Sequence, residues 1–486
     1  MNCLLTLSSF LFPLISFRYA SRILLPEGTG KVSLAVAVIS YFAMFAQLGI
    51  PTYGIRACAA VRDDRQKLSR TAKELLIWNL FLSMIAYAAL FAAIAVIPKL
   101  REERALYLIC SVSILMNALG MEWLYKALEL YTFITVRSIL TKALSVVAIF
   151  LLIHKQSDYV LYGAIFTGAG CANYLFNLLR VHRYVDLYVC SNEDSEDDAC
   201  NCRLDLHRHL RPMLVFFAMS CAVTIYTNLD LVMLGFMTSD WEVGNYHASI
   251  MVKNILVAAV TSLAAVLLPR ASYYVENGQM EEYRTISRKA LNFAVLSSMP
   301  LSLFFMMSAD KCISFLAGDA YNGAVVPLRI LMPAIVFIAV SNITGIQMLV
   351  PLGKEKVVLV SELAGMAVDV TLNSLLIPEY GASGAAIGTM VAELVVLTVQ
   401  CWHFGRDLSW YFSETSWGRI LLGCGIGYAA SRCIYSLSLG AFVTIIIGGC
   451  LFFGTFLAAM FITKENMTMY IYNVLMSRMC SMLRRR

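Results

Sequence analysis

The chain has 486 residues, of which 59% are hydrophobic and only 14% charged, with a net charge of +6 and a mean hydropathy of +0.71. Soluble domains carry roughly 25% charged residues, so this composition excludes a soluble globular protein. The excess of positive charge sits between apolar stretches and forms no nucleic-acid patch.

A membrane-crossing helix needs about 20 mostly apolar residues. In chain order, such stretches lie near 3–17, 32–50, 75–98, 105–125, 133–153, 159–180 and 212–237. They continue at 248–268, 290–308, 325–349, 357–377, 381–402, 417–436 and 440–462. Fourteen predicted spans leave no loop large enough to fold alone. The expected fold class is therefore an all-α polytopic membrane protein. The first stretch begins at Cys3 without a basic leader or a small-residue cleavage site, and reads as a retained span.

If the N-terminus is cytoplasmic, one set of loops collects Arg56 to Lys73, Arg180 to Arg211, Arg270 to Lys289, Lys354, Lys356, Arg406, Arg419 and the basic tail. The opposite loops hold fewer cations, among them Arg18, Arg22, Lys31, Lys99 and Lys155. The positive-inside bias then places both termini in the cytoplasm. The most polar connection, 181–211, separates six spans (1–180) from six more (212–402), followed by two accessory spans and a basic tail (403–486). Its acidic run Asn192–Asp198 reads as a solvated linker. Cys200, Cys202, His207 and His209 in the same linker resemble metal ligands, but structural zinc sites space their cysteines by two to four residues. No metal is expected. The remaining cysteines are scattered through spans and form no disulfide framework.

The two halves echo each other. Leu151–Ile153 with Gly163 matches Leu375–Ile377 with Gly384, and Gly30–Ser33 matches Gly244–His247. Parallel six-span repeats of this kind suit carriers that rock two bundles about a central site.

Ionisable groups inside spans are costly and are functional candidates by default. Arg18 and Arg22 are four residues apart on one helical face and could clamp an anion, because guanidinium recognises phosphate through several donors. Asp230, with Tyr226 on its face and Asn228 nearby, is a candidate for holding a proton or small cation; a structural hydrogen bond is the plain alternative. Lys253 could bind a phosphate or simply snorkel. Arg56 and Arg270 each follow a proline, as substrate-entry cations or as topology signals. Glu362, Asp369 and Glu393 are proton-relay candidates, while Arg137 and Lys142 read as interfacial anchors. Pro13, Pro300 and Pro333 interrupt spans, as helices lining cavities tolerate. No phosphate-binding loop, H-E-x-x-H or nucleophile elbow occurs, so no catalytic residue and no cofactor is expected.

Several segments together resemble a known family. They are Ser21–Gly30 (SRILLPEGTG), Leu48–Arg56 (LGIPTYGIR), Glu122–Tyr125 (EWLY), Thr135–Ser138 (TVRS), Tyr226–Asp230 (YTNLD) with Met233–Gly235, Val243–Tyr246, Leu267–Arg270 (LLPR) and Gly345–Gly353. The combination, over about residues 10–400, is similar to the O-antigen and polysaccharide flippases of the multidrug/oligosaccharidyl-lipid/polysaccharide exporter superfamily. The resemblance implies two six-helix lobes around a central cavity. It implies alternating access that carries a polyprenyl-diphosphate-linked oligosaccharide across a bacterial plasma membrane, coupled to H+ or Na+. Arg18, Arg22 and Lys253, with Arg56 or Arg270, would then meet the headgroup, and Asp230 would couple ions or hold the lysine. Expected partners are the lipid-linked oligosaccharide, the bilayer, and glycosyltransferases and a polymerase of the same pathway. The alternatives are a multidrug or cation antiporter and a membrane polysaccharide polymerase or ligase; the short outer loops disfavour the last.

Overall fold

The computed structural model describes residues 2–186, 204–405, 407–435, 437 and 439–483. Every regular element among them is helical, and the fold is all-α. The helices are α1 (Asn2–Gln47), α2 (Ile50–Ala59), α3 (Arg65–Val96), α4 (Pro98–Glu102), α5 (Arg104–Gly120), α6 (Glu122–Ala127), α7 (Tyr131–Leu152), α8 (Tyr159–Arg180) and α9 (His207–Met237). They continue as α10 (Asp240–Glu276), α11 (Met280–Met307), α12 (Ala309–Leu316), α13 (Val325–Asn342), α14 (Glu355–Phe404), α15 (Asp407–Tyr411), α16 (Trp417–Tyr435), α17 (Ala441–Ile462) and α18 (Asn466–Leu483).

By length and hydropathy, seven of the described helical segments can cross a membrane, or up to nine if two bent pairs each count once. The count of fourteen is not reached on that criterion, partly because neighbouring stretches merge. α1 is two helical stretches joined at Leu25 (φ 58°, ψ 176°) ahead of Pro26, a break inside the 18–31 segment that the sequence marks as a loop. α14 has 50 residues, about 75 Å at 1.5 Å per residue, more than twice a hydrocarbon core. It reverses at Gly381 (φ 52°), a left-handed position that glycine adopts without a Cβ clash. Gly384 beside Leu376, Gly388 beside Asn373, Gly365 beside Val396, and Ser361 bonded to Gln400 nest symmetrically about that residue. The element is therefore an antiparallel hairpin of arms 355–380 and 382–404.

The chain forms two compact units, Met1–Gly244 and Asn245–Arg486, so the helix carrying Asp230 packs with the N-terminal six. In the first unit α1 packs against α3, α5, α7, α8 and α9. One end is closed by a core of Ile50, Cys58, Leu68, Leu75, Trp123, Leu124, Val181 and Met213. Gly49 (φ 74°) turns the chain into α2, with Pro51 in the first turn. A Cβ on Gly54 would lie 2.9 Å from the Trp123 ring, so two segments of the family resemblance meet there. Gly30 and Gly244, matched across the sequence halves, also meet. A Cβ on Gly30 would strike the Asp240 carbonyl, and one on Gly244 would strike the carbonyl of Pro26.

In the second unit α11 packs on α13, and α13 on α14. The C-terminal pair α16 and α17 pack tightly on each other and against α11 and α12. Gly423 and Gly427 admit Met460 and Phe452, the small-residue contact typical of membrane helix pairs.

Gly30→Ala should destabilise the protein by about 1–3 kcal/mol through overpacking, whereas Gly168→Ala, with open space beside it, should be neutral. Thermal unfolding of the detergent-solubilised variants checks both.

Candidate functional site

The first unit carries two exposed guanidiniums on one face of α1. Arg18 and Arg22 are both exposed, and Arg22 Nη1 donates to the Arg18 carbonyl at 2.8 Å. Arg56 is likewise exposed, near the end of α2. Asp230 on α9 is only 8% exposed and acts electrostatically on Tyr41 of α1. Asn228 is half-buried, its amide donating to the Thr224 carbonyl at 3.1 Å and to Thr227 Oγ1.

In the second unit Lys253 is half-buried on α10, and Arg270 is exposed, its Nε donating to the Tyr274 hydroxyl at 3.0 Å. Glu362 and Glu393 sit on opposite arms of the α14 hairpin and interact electrostatically. Asp369 is 2% exposed; a Cβ on Gly388 would fall against its carboxylate and the Asn373 amide oxygen. Nearby, the Tyr246 hydroxyl and Thr389 Oγ1 are 2.8 Å apart. Further along the hairpin Thr344 donates to Gln400 Oε1 at 2.6 Å, and Gln400 Nε2 donates to Ser361. The structure thus brings three of the four acidic candidates onto one hairpin, with Asp230 on α9, and leaves Lys253 and Arg270 well apart on α10.

Arg137 corrects an expectation. Far from an interfacial anchor, it is 5% exposed, donates to the Asn173 carbonyl at 2.5 Å and pairs with Glu122 at 3.4 Å. Tyr125 donates to the Asn177 carbonyl at 2.5 Å, and the Asn177 amide donates to the Gly120 carbonyl. The EWLY and TVRS segments are therefore one structural joint between α6, α7 and α8.

Sequence reading missed Glu74. It is fully buried on α3, and its carboxylate accepts from Arg70 Nε (3.2 Å), the Asp205 backbone amide (2.7 Å), His209 Nε2 (2.8 Å) and Arg208. His209 Nδ1 lies 2.8 Å from the Tyr53 hydroxyl. Both ring nitrogens of His209 are thus engaged by protein. Cys200 and Cys202 lie outside the described residues, and among those described no three His, Cys, Asp or Glu side chains are arranged to hold a metal. The only sequence signal for Glu74 was a carboxylate at the start of an apolar stretch.

These long apolar helices carrying buried charge define a multi-pass membrane transport protein. The family model described as "Polysaccharide biosynthesis protein" matches residues 1–275, and the chain belongs to that family, within the multidrug/oligosaccharidyl-lipid/polysaccharide exporter superfamily. A second model, MatE, matches residues 216–375. The chain is 23% identical to the "Putative O-antigen transporter" of Escherichia coli (strain K12), over 81% of this chain and 92% of that protein. It is also 23% identical to the protein of the same name from Shigella dysenteriae, over 80% and 95%. Its fold is similar to the lipid II flippase MurJ in an inward closed conformation (TM-score 0.73, 12% identity, 95% of this chain and 98% of that one). It is also similar to an inward-facing multidrug resistance MATE family transporter (TM-score 0.64, 17% identity, 84% and 96%).

A hydrogen bond made by a charged group contributes about 1.5–3 kcal/mol, and buried Arg137 donates to both the Asn173 carbonyl and Glu122. Arg137→Leu should therefore lower thermal stability sharply, while exposed Arg270→Gln should change it by less than about 0.5 kcal/mol. Unfolding in detergent micelles separates the two.

Proposed function

We propose that the chain is a flippase that carries a polyprenyl-diphosphate-linked oligosaccharide across a bacterial plasma membrane for cell-surface polysaccharide synthesis. The observation that carries this reading is the family match over residues 1–275, seconded by relatives named O-antigen transporters over most of the chain. The physics supports it. A diphosphate cannot enter hydrocarbon unpaired, whereas a polyprenyl tail can remain in lipid. What the headgroup needs is a set of cations that are fixed to the protein yet open to it. Arg18 and Arg22 meet both conditions, being exposed on one helix face with Arg22 braced on the Arg18 carbonyl. Lys253, Arg56 and Arg270 are further headgroup contacts in this reading.

Transport proceeds by alternating access coupled to H+ or Na+, with Asp230, Asn228, Glu362, Asp369 and Glu393 as the coupling groups. One charge crossing 100 mV supplies about 2.3 kcal/mol, roughly a forty-fold bias between leaflets, so a single coupled ion suffices to drive export. The distribution of lysine and arginine supports cytoplasmic termini. Pathway glycosyltransferases and a polymerase would supply and consume the substrate.

A second reading, a multidrug antiporter, is favoured by the MatE match at 216–375 and by the MATE-like fold. Ethidium efflux from cells discriminates; the flippase reading expects none above background.

Charge-assisted hydrogen bonds contribute about 1.5–3 kcal/mol each, so the double variant Arg18→Gln, Arg22→Gln should slow flipping of a fluorescent lipid-linked oligosaccharide in liposomes by roughly tenfold or more at equal protein content. Asp369→Asn should abolish the response to an imposed ion gradient. Wild-type protein that moves no such lipid under either a proton or a sodium gradient would refute the reading.

A further inference from the structure

Between the open ends of the α14 hairpin arms lies a groove of about 350 Å³. Lys356, Val357 and Val360 line it from one arm, and Val399, Trp402 and His403 from the other. The spacing explains the groove: 356 and 360, like 399 and 403, are four apart, so each arm turns one stripe toward it. On the buried side of the same turns, Thr344, Gln400 and Ser361 bond to one another, with Ser361 and Gln400 0% and 1% exposed. Their donors are engaged inside the protein. The walls therefore offer a ligand mainly methyl groups, and the polar groups stand at the mouth.

Three side chains form that mouth. Lys356 is exposed and, among the described residues, joins no carboxylate, although Glu355 precedes it and Asp407 lies four residues after His403. His403 is exposed, meets Phe404 edge-on at 6.2 Å between ring centroids, and makes no hydrogen bond among the described residues. Trp402 is 83% exposed. At the level of lipid headgroups an indole ring finds apolar surroundings and its N–H finds a polar partner. From the mouth, exposed Val360 and Leu363 carry the apolar stripe toward the hairpin turn.

We propose that this groove is a binding site for an anionic glycerophospholipid of the surrounding bilayer. An acyl chain lies along Val357, Val360 and Val399, the phosphate meets Lys356 and His403, and Trp402 flanks the glycerol. Charge complementarity selects the headgroup, because a zwitterionic lipid brings its own cation beside Lys356. The lysine and arginine distribution assigns Lys354 and Lys356 to the cytoplasmic side. Basic pockets between membrane helices on that side are where acidic headgroups bind. Lys356 and His403 stand at opposite ends of one 50-residue element, so a lipid bridging them braces the open end of the hairpin.

The test uses full-length protein in phosphatidylcholine nanodiscs that contain phosphatidylglycerol brominated near the top of its acyl chains. Bromine quenches tryptophan on contact, and the emission difference between the wild type and W402F reports Trp402; each variant carries its own W402F blank. Brominated phosphatidylglycerol should reach half-quenching at about one-fifth the mole fraction that brominated phosphatidylcholine needs, the preference that one lysine beside an anionic headgroup gives. K356Q should remove that preference. K354Q changes an exposed lysine outside the groove and should keep it. V360F fills the groove and should weaken quenching by both lipids.

Equal half-quenching by the two lipids in the wild type, a preference that survives K356Q, or one that K354Q removes as fully, overturns the proposal. Unchanged quenching in V360F does so too. So does relief of quenching by a polyprenyl diphosphate at a mole fraction below that of the phosphatidylglycerol, since the groove would then hold a cargo lipid. The inference stands apart from the flippase reading: a protein that moves no lipid-linked oligosaccharide can still show the lysine-dependent preference.

Discussion

Hydrocarbon supplies no hydrogen-bond partner, and every other feature of this protein answers to that constraint. Backbone groups are satisfied inside helices, and side-chain polar groups must find each other across helices or open onto a polar space. The joints described above are the result. Asn177 returns a donor to the carbonyl at the end of α5, Gln400 links the hairpin arms of α14 to the turn after α13, and Arg137 is closed by a carbonyl and a carboxylate. Each removes a penalty of the order of a few kcal/mol that an orphaned group would bring.

Charge in this chain therefore falls into two kinds, distinguished by what surrounds it. Arg137 and Glu74 are buried and bonded across helices, so they hold helices together. Arg18 and Arg22 are exposed on one helix face, with Arg22 braced on the Arg18 carbonyl. The acidic residues of the α14 hairpin lie between these limits, close enough to influence each other yet within a narrow polar seam.

Hydropathy is a local property, which is why the apolar stretches, the turn into α2 at Gly49-Ile50-Pro51 and the all-helical class were legible in the sequence. Candidate charges were legible too, because any ionisable residue in such a stretch stands out. What each charge does was not, since it depends on distant partners. Glu74 meets groups more than 130 residues away, and Arg137 reads as an anchor until Asn173 and Glu122 are placed beside it. The break in α1 was legible for the same local reason: polar residues and Pro26 mark 18–31, and the backbone leaves helical geometry there at Leu25.

The reversal at Gly381 has a consequence for insertion. Each pass through a bilayer changes the side on which the next segment emerges, so one hairpin turn fixes the parity of everything after it. Without the left-handed glycine, the 50 residues of α14 would form a single rod, and Lys464 and the tail beyond it would emerge on the opposite face. A residue with no side chain thus sets the sidedness of roughly the last fifth of the protein.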